Sequence, residues 1–519
     1  MSKKENALLL HNKKLEKKLR EVTEQFNQVL EQNKYLQEQL FVLQRQMYGR
    51  KKEDTPTIDG QTNLFDSESF SQPEHTGQES QEIVQVKSVR RTKTKGKKAL
   101  SLAQLPANHL HYRLEGSECL CETCGNQLNE IGECVVREEP LFIPAHIEKN
   151  VFHQHAYKCC SCEKTTGIPT IKKAVVPRPL IHNSFGSPTM VAHTIMEKYG
   201  KKVPAYRQEN EWKTFGLPLD RQKITNWHLL VSDYVLSPLY DLLKSELQTQ
   251  EVLHADETTY NVLDVPKATT YYWLYASGKA EKRPIILYQH ELSRKHELPQ
   301  NFLGDFHGYL HSDAYSAYAK LPMVKNVYCW SHVRRKFHEA IGPQTKNFST
   351  ALTGEKYCDL IFKEERRLAH LLPEDRQLAR VRWVKPIVEE FFTWAASVCI
   401  LTKSKLGEAV AYSLRYKEGL CTFLEDGRLE ATNNRAERGV KELVIGRKNW
   451  LFSKSERGAQ AAGIILSILR TAVENKLDPR KYFIYLFEQV PNLPSLTPAA
   501  LTAYLPWSEG VQTHCRAAY

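Results

Sequence analysis

Nowhere in the 519 residues does an apolar run approach the roughly 20 residues that a bilayer-spanning helix needs; a stretch such as Ala461 to Leu469 falls far short. The opening residues are polar and charged, with no apolar core of a secretory signal. Both absences point to a cytoplasmic chain. A collagen-like or wholly disordered bias is missing too, since 41% hydrophobic and 25% charged residues are ordinary for globular domains. Acids are outnumbered, 60 against 72 basic residues, and the formal charge of +12 favours a polyanionic partner whose counterions lysine and arginine can displace. With no export signal, the 12 cysteines read as metal ligands or buried thiols rather than as a disulfide scaffold. A chain of this length exceeds one compact core and predicts several domains of roughly 100–200 residues.

Proline is absent from the first six heptads. Leu8, Leu15, Val22, Val29, Leu36 and Leu43 recur every seventh residue, interleaved with Asn12, Leu19, Phe26, Asn33, Leu40 and Met47. This spacing predicts a coiled coil over 1–50, with Asn12 and Asn33 fixing register in a parallel dimer; the alternative is one long amphipathic helix packed on its own chain. Residues 51–100 lack apolar periodicity and read as a flexible linker ending in the basic cluster Arg90, Arg91, Lys93, Lys95, Lys97 and Lys98. Two cysteine pairs, Cys121 with Cys124 and Cys159 with Cys162, mark 101–170 as a zinc-binding domain. Each pair has the two-residue gap that lets both thiolates reach one tetrahedral ion, and Cys119, Cys134, Cys160, His153 and His155 are possible substitutes. A closed four-thiolate site organises a fold and leaves no position for substrate.

Residues 171–248 read as helical. Helices through Met190 to Tyr199 and Tyr206 to Phe215, a Gly216-Leu-Pro turn, and a third helix from about Asp220 suggest a helix-turn-helix. Its third helix would offer Arg221, Gln222, Lys223 and Asn226 to DNA while Trp227 and Leu230 face inward. From Glu251 the period changes to strands: Val252 to Asp256, Thr270 to Ala276 and Pro284 to Tyr288, then a helix near Leu292 to Phe302, a strand from Gly308 to Asp313, and another from Asn326 to Trp330. That order is the order of a ribonuclease-H-like fold, with Asp256 and Asp313 side by side. Two close carboxylates repel unless a cation holds them, and hard oxygen ligands suit magnesium or manganese. Phosphodiester chemistry commonly uses two such ions and a third acid to complete the cage. Glu437 is the candidate, at the start of a helix that also carries Arg438 and Lys441, with Arg447 and Lys448 beyond. Alternatively, Asn434 and Glu437 form a helix-capping box, and each aspartate closes a turn. Cys329 and His332 suggest another metal site or a nucleophile but read rather as core packing, while Arg334, Arg335 and Lys336 suit DNA phosphates.

The runs His254-Ala-Asp256-Glu-Thr, Ser312-Asp313-Ala-Tyr-Ser-Ala-Tyr318, Cys329-Trp-Ser-His-Val-Arg-Arg-Lys-Phe337, Asn433-Asn-Arg-Ala-Glu437-Arg and Gly446-Arg-Lys-Asn-Trp-Leu-Phe452 resemble those of insertion sequence 66 family transposases. The likeness extends to Tyr48-Gly-Arg-Lys, Lys198-Tyr, Pro204-Ala-Tyr-Arg207 and Leu505-Pro-Trp507. Two positions depart from the family pattern: Thr432 stands where an acid usually precedes the Asn-Asn pair, and Tyr48 stands for a phenylalanine. The resemblance implies that Asp256, Asp313 and Glu437 form an Asp-Asp-Glu metal site and that Cys121, Cys124, Cys159 and Cys162 hold zinc.

Together these readings describe a multidomain α+β chain. A coiled coil (1–50), linker (51–100), zinc-binding domain (101–170) and helical DNA-binding domain (171–248) precede a catalytic core in two parts (249–341 and 429–472). A helical insertion (342–428) separates those parts, and a helical C-terminus (473–519) follows. The expected activity is metal-dependent cleavage of element ends and transfer to target DNA by a homodimer, with accessory proteins of the same element as further partners. The alternatives are an inactive derivative acting as a zinc-containing DNA-binding regulator, and a nuclease that never joins strands.

Overall fold

The computed structural model describes residues 18, 147–159, 170–267, 269–341, 349–399, 401 and 403–517. The coiled-coil and linker expectations, apart from a helical Lys18, lie outside the described residues, as do Cys121, Cys124 and Cys162. The backbone of Cys159 closes β1 (Ala156–Cys159), which pairs antiparallel with β2 (Thr170–Lys173).

Four helices follow: α1 (Pro188–Ile195), α2 (Ala205–Thr214), α3 (Arg221–Val231) and α4 (Ser237–Gln248). The Ser187 side chain accepts the Met190 N–H at the start of α1, and Asp220 accepts the Lys223 N–H at the start of α3, each satisfying a donor that the first helical turn leaves free. Gly216 closes the turn between α2 and α3 at φ 74°, a left-handed conformation that glycine adopts without a Cβ clash. Trp227 and Ile224 are buried, Leu230 is half-buried, and Arg221, Gln222, Lys223 and Asn226 are exposed, which is the division expected for α3.

The central sheet comprises β3 (Val252–Tyr260), β4 (Thr270–Ser277), β5 (Ile286–Glu291), β6 (Gly308–Ser312) and β7 (Val324–Tyr328), in the order β5-β4-β3-β6-β7. Strands β3, β4 and β5 form an antiparallel meander, while β6 and β7 run parallel to β3. Between them lie α5 (Glu297–Leu303) and α6 (Ser316–Ala319). Element order agrees with the sequence reading, but several boundaries do not: β5 and β7 are shifted by two or three residues from the expected Pro284–Tyr288 and Asn326–Trp330, and two differences bear on the site. β3 does not end at Asp256, because Glu257 to Tyr260 continue to pair with Trp273 to Thr270. The helix expected from Leu292 starts only at Glu297, and the freed segment carries Arg294 to the Glu257 carboxylate at 2.9 Å.

After β7 come α7 (Trp330–Ala340), α8 (Thr350–Leu368), α9 (Pro373–Trp383), α10 (Lys385–Ser397), α11 (Lys405–Arg415) and α12 (Lys417–Cys421). They form a second core in which Leu368, Val384 and Phe391 are buried with Trp330 and Phe337, while Phe362 and Trp394 pack against it half-buried. The chain then returns as α13 (Asn434–Trp450) and α14 (Glu456–Glu474), and ends in α15 (Pro479–Gln489), α16 (Pro498–Leu501) and α17 (Glu509–Cys515). Helix α14 seals the open edge of β5: the Ile286 N–H donates to Thr471 Oγ1 at 3.0 Å and the Tyr288 N–H to Ser467 Oγ at 2.8 Å. The fold is mixed α+β. No helix among the described residues is long and apolar enough to cross a membrane.

Candidate carboxylate site and its basic helix

Asp256 sits in the middle of β3, Asp313 directly after β6, and Glu437 in the first turn of α13. Because β3 and β6 are parallel neighbours, their chain direction brings the two aspartates to the same region of the sheet. Asp313 is set by a local turn in which its carboxylate accepts the Tyr315 N–H at 3.0 Å. The following Ala314 takes φ 68°, a strained left-handed conformation for a residue with a Cβ. Tyr412, from α11, donates its hydroxyl to the Asp313 carbonyl at 3.0 Å. Helix α11 therefore braces the main chain of Asp313, a role that its sequence did not reveal.

Asn433 ties α13 to β3. It is fully buried; its amide donates to the Ala255 carbonyl at 2.8 Å, its side-chain oxygen meets His254 Nδ1 at 3.0 Å, and its main-chain N–H points at Cys329 Sγ at 3.1 Å. At the far end of the same helix Trp450 donates to the Tyr260 hydroxyl at 3.2 Å and Arg447 to Thr259 Oγ1 at 3.2 Å. α13 thus lies along β3 with Glu437 at the Asp256 end. The capping-box alternative for Glu437 does not occur: Asn433 is the cap residue and makes no side-chain cap bond. The Glu437 carboxylate instead faces Cys329 Sγ at 3.9 Å and His332 Nδ1 at 3.8 Å.

The electrostatics reflect this crowding. Burial, together with the charges of Glu257, Asp313 and Glu437, pushes the Asp256 carboxyl well above the ordinary aspartate range, against one hydrogen bond from the Glu257 N–H at 2.9 Å. Burial also raises Glu257, but this fourth acid is held by the Tyr318 hydroxyl at 2.6 Å and by Arg294. Among the described residues no lysine or arginine pairs with Asp256, Asp313 or Glu437. Burial pushes the Cys329 thiol up to about 12, with Glu437 adding to the effect, and burial lowers His332 against the pull of Glu437 and Asp313. An all-oxygen set of acids without a cationic partner fits a hard divalent ion such as magnesium or manganese.

A stability consequence follows from the raised Asp256 carboxyl. The folded chain binds that proton more tightly than the unfolded chain, so below the ordinary aspartate range it exacts no penalty, and stability falls as pH rises through the raised value. In chelator at pH 8, Asp256→Asn should therefore unfold at higher urea than the parent, and the gap should close on acidification. A gap of opposite sign, or one independent of pH, would contradict the crowding.

The basic candidates divide. Arg438, Lys441 and Lys448 are exposed on α13, and no acid engages them among the described residues. At 100° per residue, Glu437, Lys441 and Lys448 fall on one helix face, so this stripe extends about 16 Å from the carboxylate. Arg447 turns toward β3 instead. Arg334 is already matched by Asp359 at 2.7 Å and Glu355 at 2.9 Å, whereas Arg335 is exposed.

A mixed sheet that gathers acids under a basic helix places the molecule in the α+β class. Residues 183–461 match the family model described as "Transposase IS66 family", more than half of the chain, and the protein belongs to that family. Relatives occur in Sinorhizobium fredii (strain NBRC 101917 / NGR234). Uncharacterized protein y4hP is 29% identical over 416 residues, covering 75% of this chain and 73% of its own. Uncharacterized protein y4jD is 26% identical over 483 residues, covering 89% and 92%. Family membership implies DNA as partner and suggests a nuclease or transposase activity, which in such families typically depends on metal.

Proposed function

We propose that this transposase cleaves the ends of its element and joins the released 3′ hydroxyl to target DNA at a ribonuclease-H-like site formed by Asp256, Asp313 and Glu437. The carrying observation is placement: Asp256 in β3, Asp313 directly after its parallel neighbour β6 and Glu437 in the first turn of α13, with Asp313 and Glu437 adding to the charge that raises the buried Asp256 carboxyl. They would hold magnesium or manganese, which when bound supplies activation of the attacking hydroxyl and stabilisation of the leaving oxygen. The chain's own residues do the positioning. Asn433 and Tyr412 hold two of the acids in place, and Arg294 and Tyr318 occupy Glu257 so that it does not compete with them. Lys441, Lys448 and Arg438 lead phosphates along α13 to the site, Arg447 steadies that helix, and Arg335 extends the basic surface. Exposed Arg221, Lys223 and Asn226 on α3 suit contact with the element ends. Zinc on Cys121, Cys124, Cys159 and Cys162, and pairing of two chains through 1–50, complete the reading.

Incubating the full chain with element-end DNA and magnesium or manganese tests it. Strand cleavage followed by joined products is expected. Binding without cleavage would favour the regulator, and cleavage without joining a simple nuclease. For the basic stripe, Lys441→Ala should weaken DNA binding equally for all sequences and reduce the slope of log affinity against log salt by about 0.9. An unchanged slope would remove Lys441 from phosphate contact.

A further inference from the structure

Beside the three acids lies a second donor set that shares Glu437. Cys329 Sγ, His332 Nδ1 and a Glu437 carboxylate oxygen all fall within 4.8 Å of one another. Cys329 is the cap residue of α7 and His332 belongs to its first turn, so their spacing turns both toward α13. The sulfur accepts the Asn433 N–H at 3.1 Å, while the His332 N–H closes the first turn on the Cys329 carbonyl at 3.2 Å. An N–H donor beside a helix N-terminus suits a sulfur that carries negative charge. His332 Nδ1 is shielded from solvent yet makes no hydrogen bond, an expensive state for a ring nitrogen unless something else meets it. The thiol can donate to the Glu437 carboxylate at 3.9 Å, but that leaves the shielded His332 Nδ1 beside them without a partner.

We propose that Cys329, His332 and Glu437 bind a transition-metal dication of the zinc class. Sulfur, imidazole and carboxylate are the borderline-soft donors that such ions prefer over magnesium. Three protein ligands leave a fourth tetrahedral position open, as in reactive rather than structural zinc sites. Binding displaces the Cys329 proton to solvent and draws Glu437 toward the sulfur. On the strand-cleavage reading given above, and only there, zinc at this site would compete with the magnesium-dependent reaction by withdrawing the third acid.

The test is metal stoichiometry on the full chain, with zinc equivalents measured after equilibrium dialysis for the parent, His332→Ala, Cys329→Ser and Asp256→Asn. The cysteine pairs at 121–124 and 159–162 are a constant background in all four. His332→Ala and Cys329→Ser should each lack one equivalent that the parent binds, or bind it at least about 100-fold more weakly. Asp256→Asn should keep it. In cobalt-loaded protein, the sulfur-to-metal absorption should fall in Cys329→Ser and its ligand-field bands should shift in His332→Ala. Cys329 is buried, so its variant is read only if its melting temperature is close to the parent's; His332 is partly exposed, and its variant decides the matter in any case. A parental zinc count in His332→Ala overturns the site, as does loss of the equivalent in Asp256→Asn. No DNA enters these measurements, so their failure is separate from failure of the strand-cleavage reading.

Discussion

Asp256→Asn and Asp313→Asn should each cut cleavage of element-end DNA by on the order of 10³-fold or more, with DNA affinity unchanged or slightly higher. Asparagine preserves size and an oxygen: at 256 it can still accept the Glu257 N–H, and at 313 the Tyr315 N–H, so the backbone at either position keeps its support. What is lost is charge, the property that a divalent ion requires of its hard ligands. Because the three acids act as one unit, the double variant should be little worse than either single one. Removing negative charge beside a phosphate path cannot weaken binding electrostatically, which separates a chemical defect from a binding defect. Cleavage within about tenfold of the parent in Asp256→Asn would mean that the crowded acids are not the reaction centre.

The largest stability effect should come from a residue far from the chemistry. Arg380, on α9, is 1% exposed, and all five of its donors are used. It grips Glu365 of α8 through two bonds of 2.8 and 2.6 Å and donates to the carbonyls of Phe423, Asp426 and Leu429 at 2.8 to 2.9 Å. It thereby ties the insertion to the segment that re-enters the sheet domain just before Asn433. Arg380→Ala would strand the Glu365 carboxylate and three carbonyls, at a cost of about 3–5 kcal/mol. Arg380→Lys cannot replace the planar fork and should recover only part of that loss. Urea unfolding followed by tryptophan fluorescence would report it through Trp330 and Trp394 in the second core. A loss below about 1 kcal/mol would show that solvent or neighbouring groups satisfy the stranded atoms.

Strand order, the α2–α3 turn and the helical insertion were legible because period, glycine placement and apolar spacing are local signals. Helices α2 and α3 begin within a residue of the expected positions for the same reason. Asp256 and Asp313 were legible as a pair because parallel neighbours bring matching strand positions together. The length of β3 was not, since Glu257 and the threonines after it stay in the sheet through pairing with β4 rather than through their own propensity. Arg380 reads from sequence as a solvated helix charge; only its five partners, separated from it by up to 49 positions, make it interior. The pairing of Cys329 and His332 with Glu437 was equally hidden, because 108 positions separate Cys329 from Glu437 and nothing in either segment announces the other. Arg334 is likewise paired with Glu355 and Asp359 of α8, contacts that its basic run does not announce.

Glu437 carries the central claim, being the acid that a helix rather than the sheet must deliver. Glu437→Gln preserves shape and removes one charge, and single-turnover cleavage of element-end DNA in magnesium measures the result directly. Cleavage should fall by on the order of 10³-fold while DNA remains bound. Cleavage at the parental rate would contradict the assignment of Asp256, Asp313 and Glu437 as one metal-holding site.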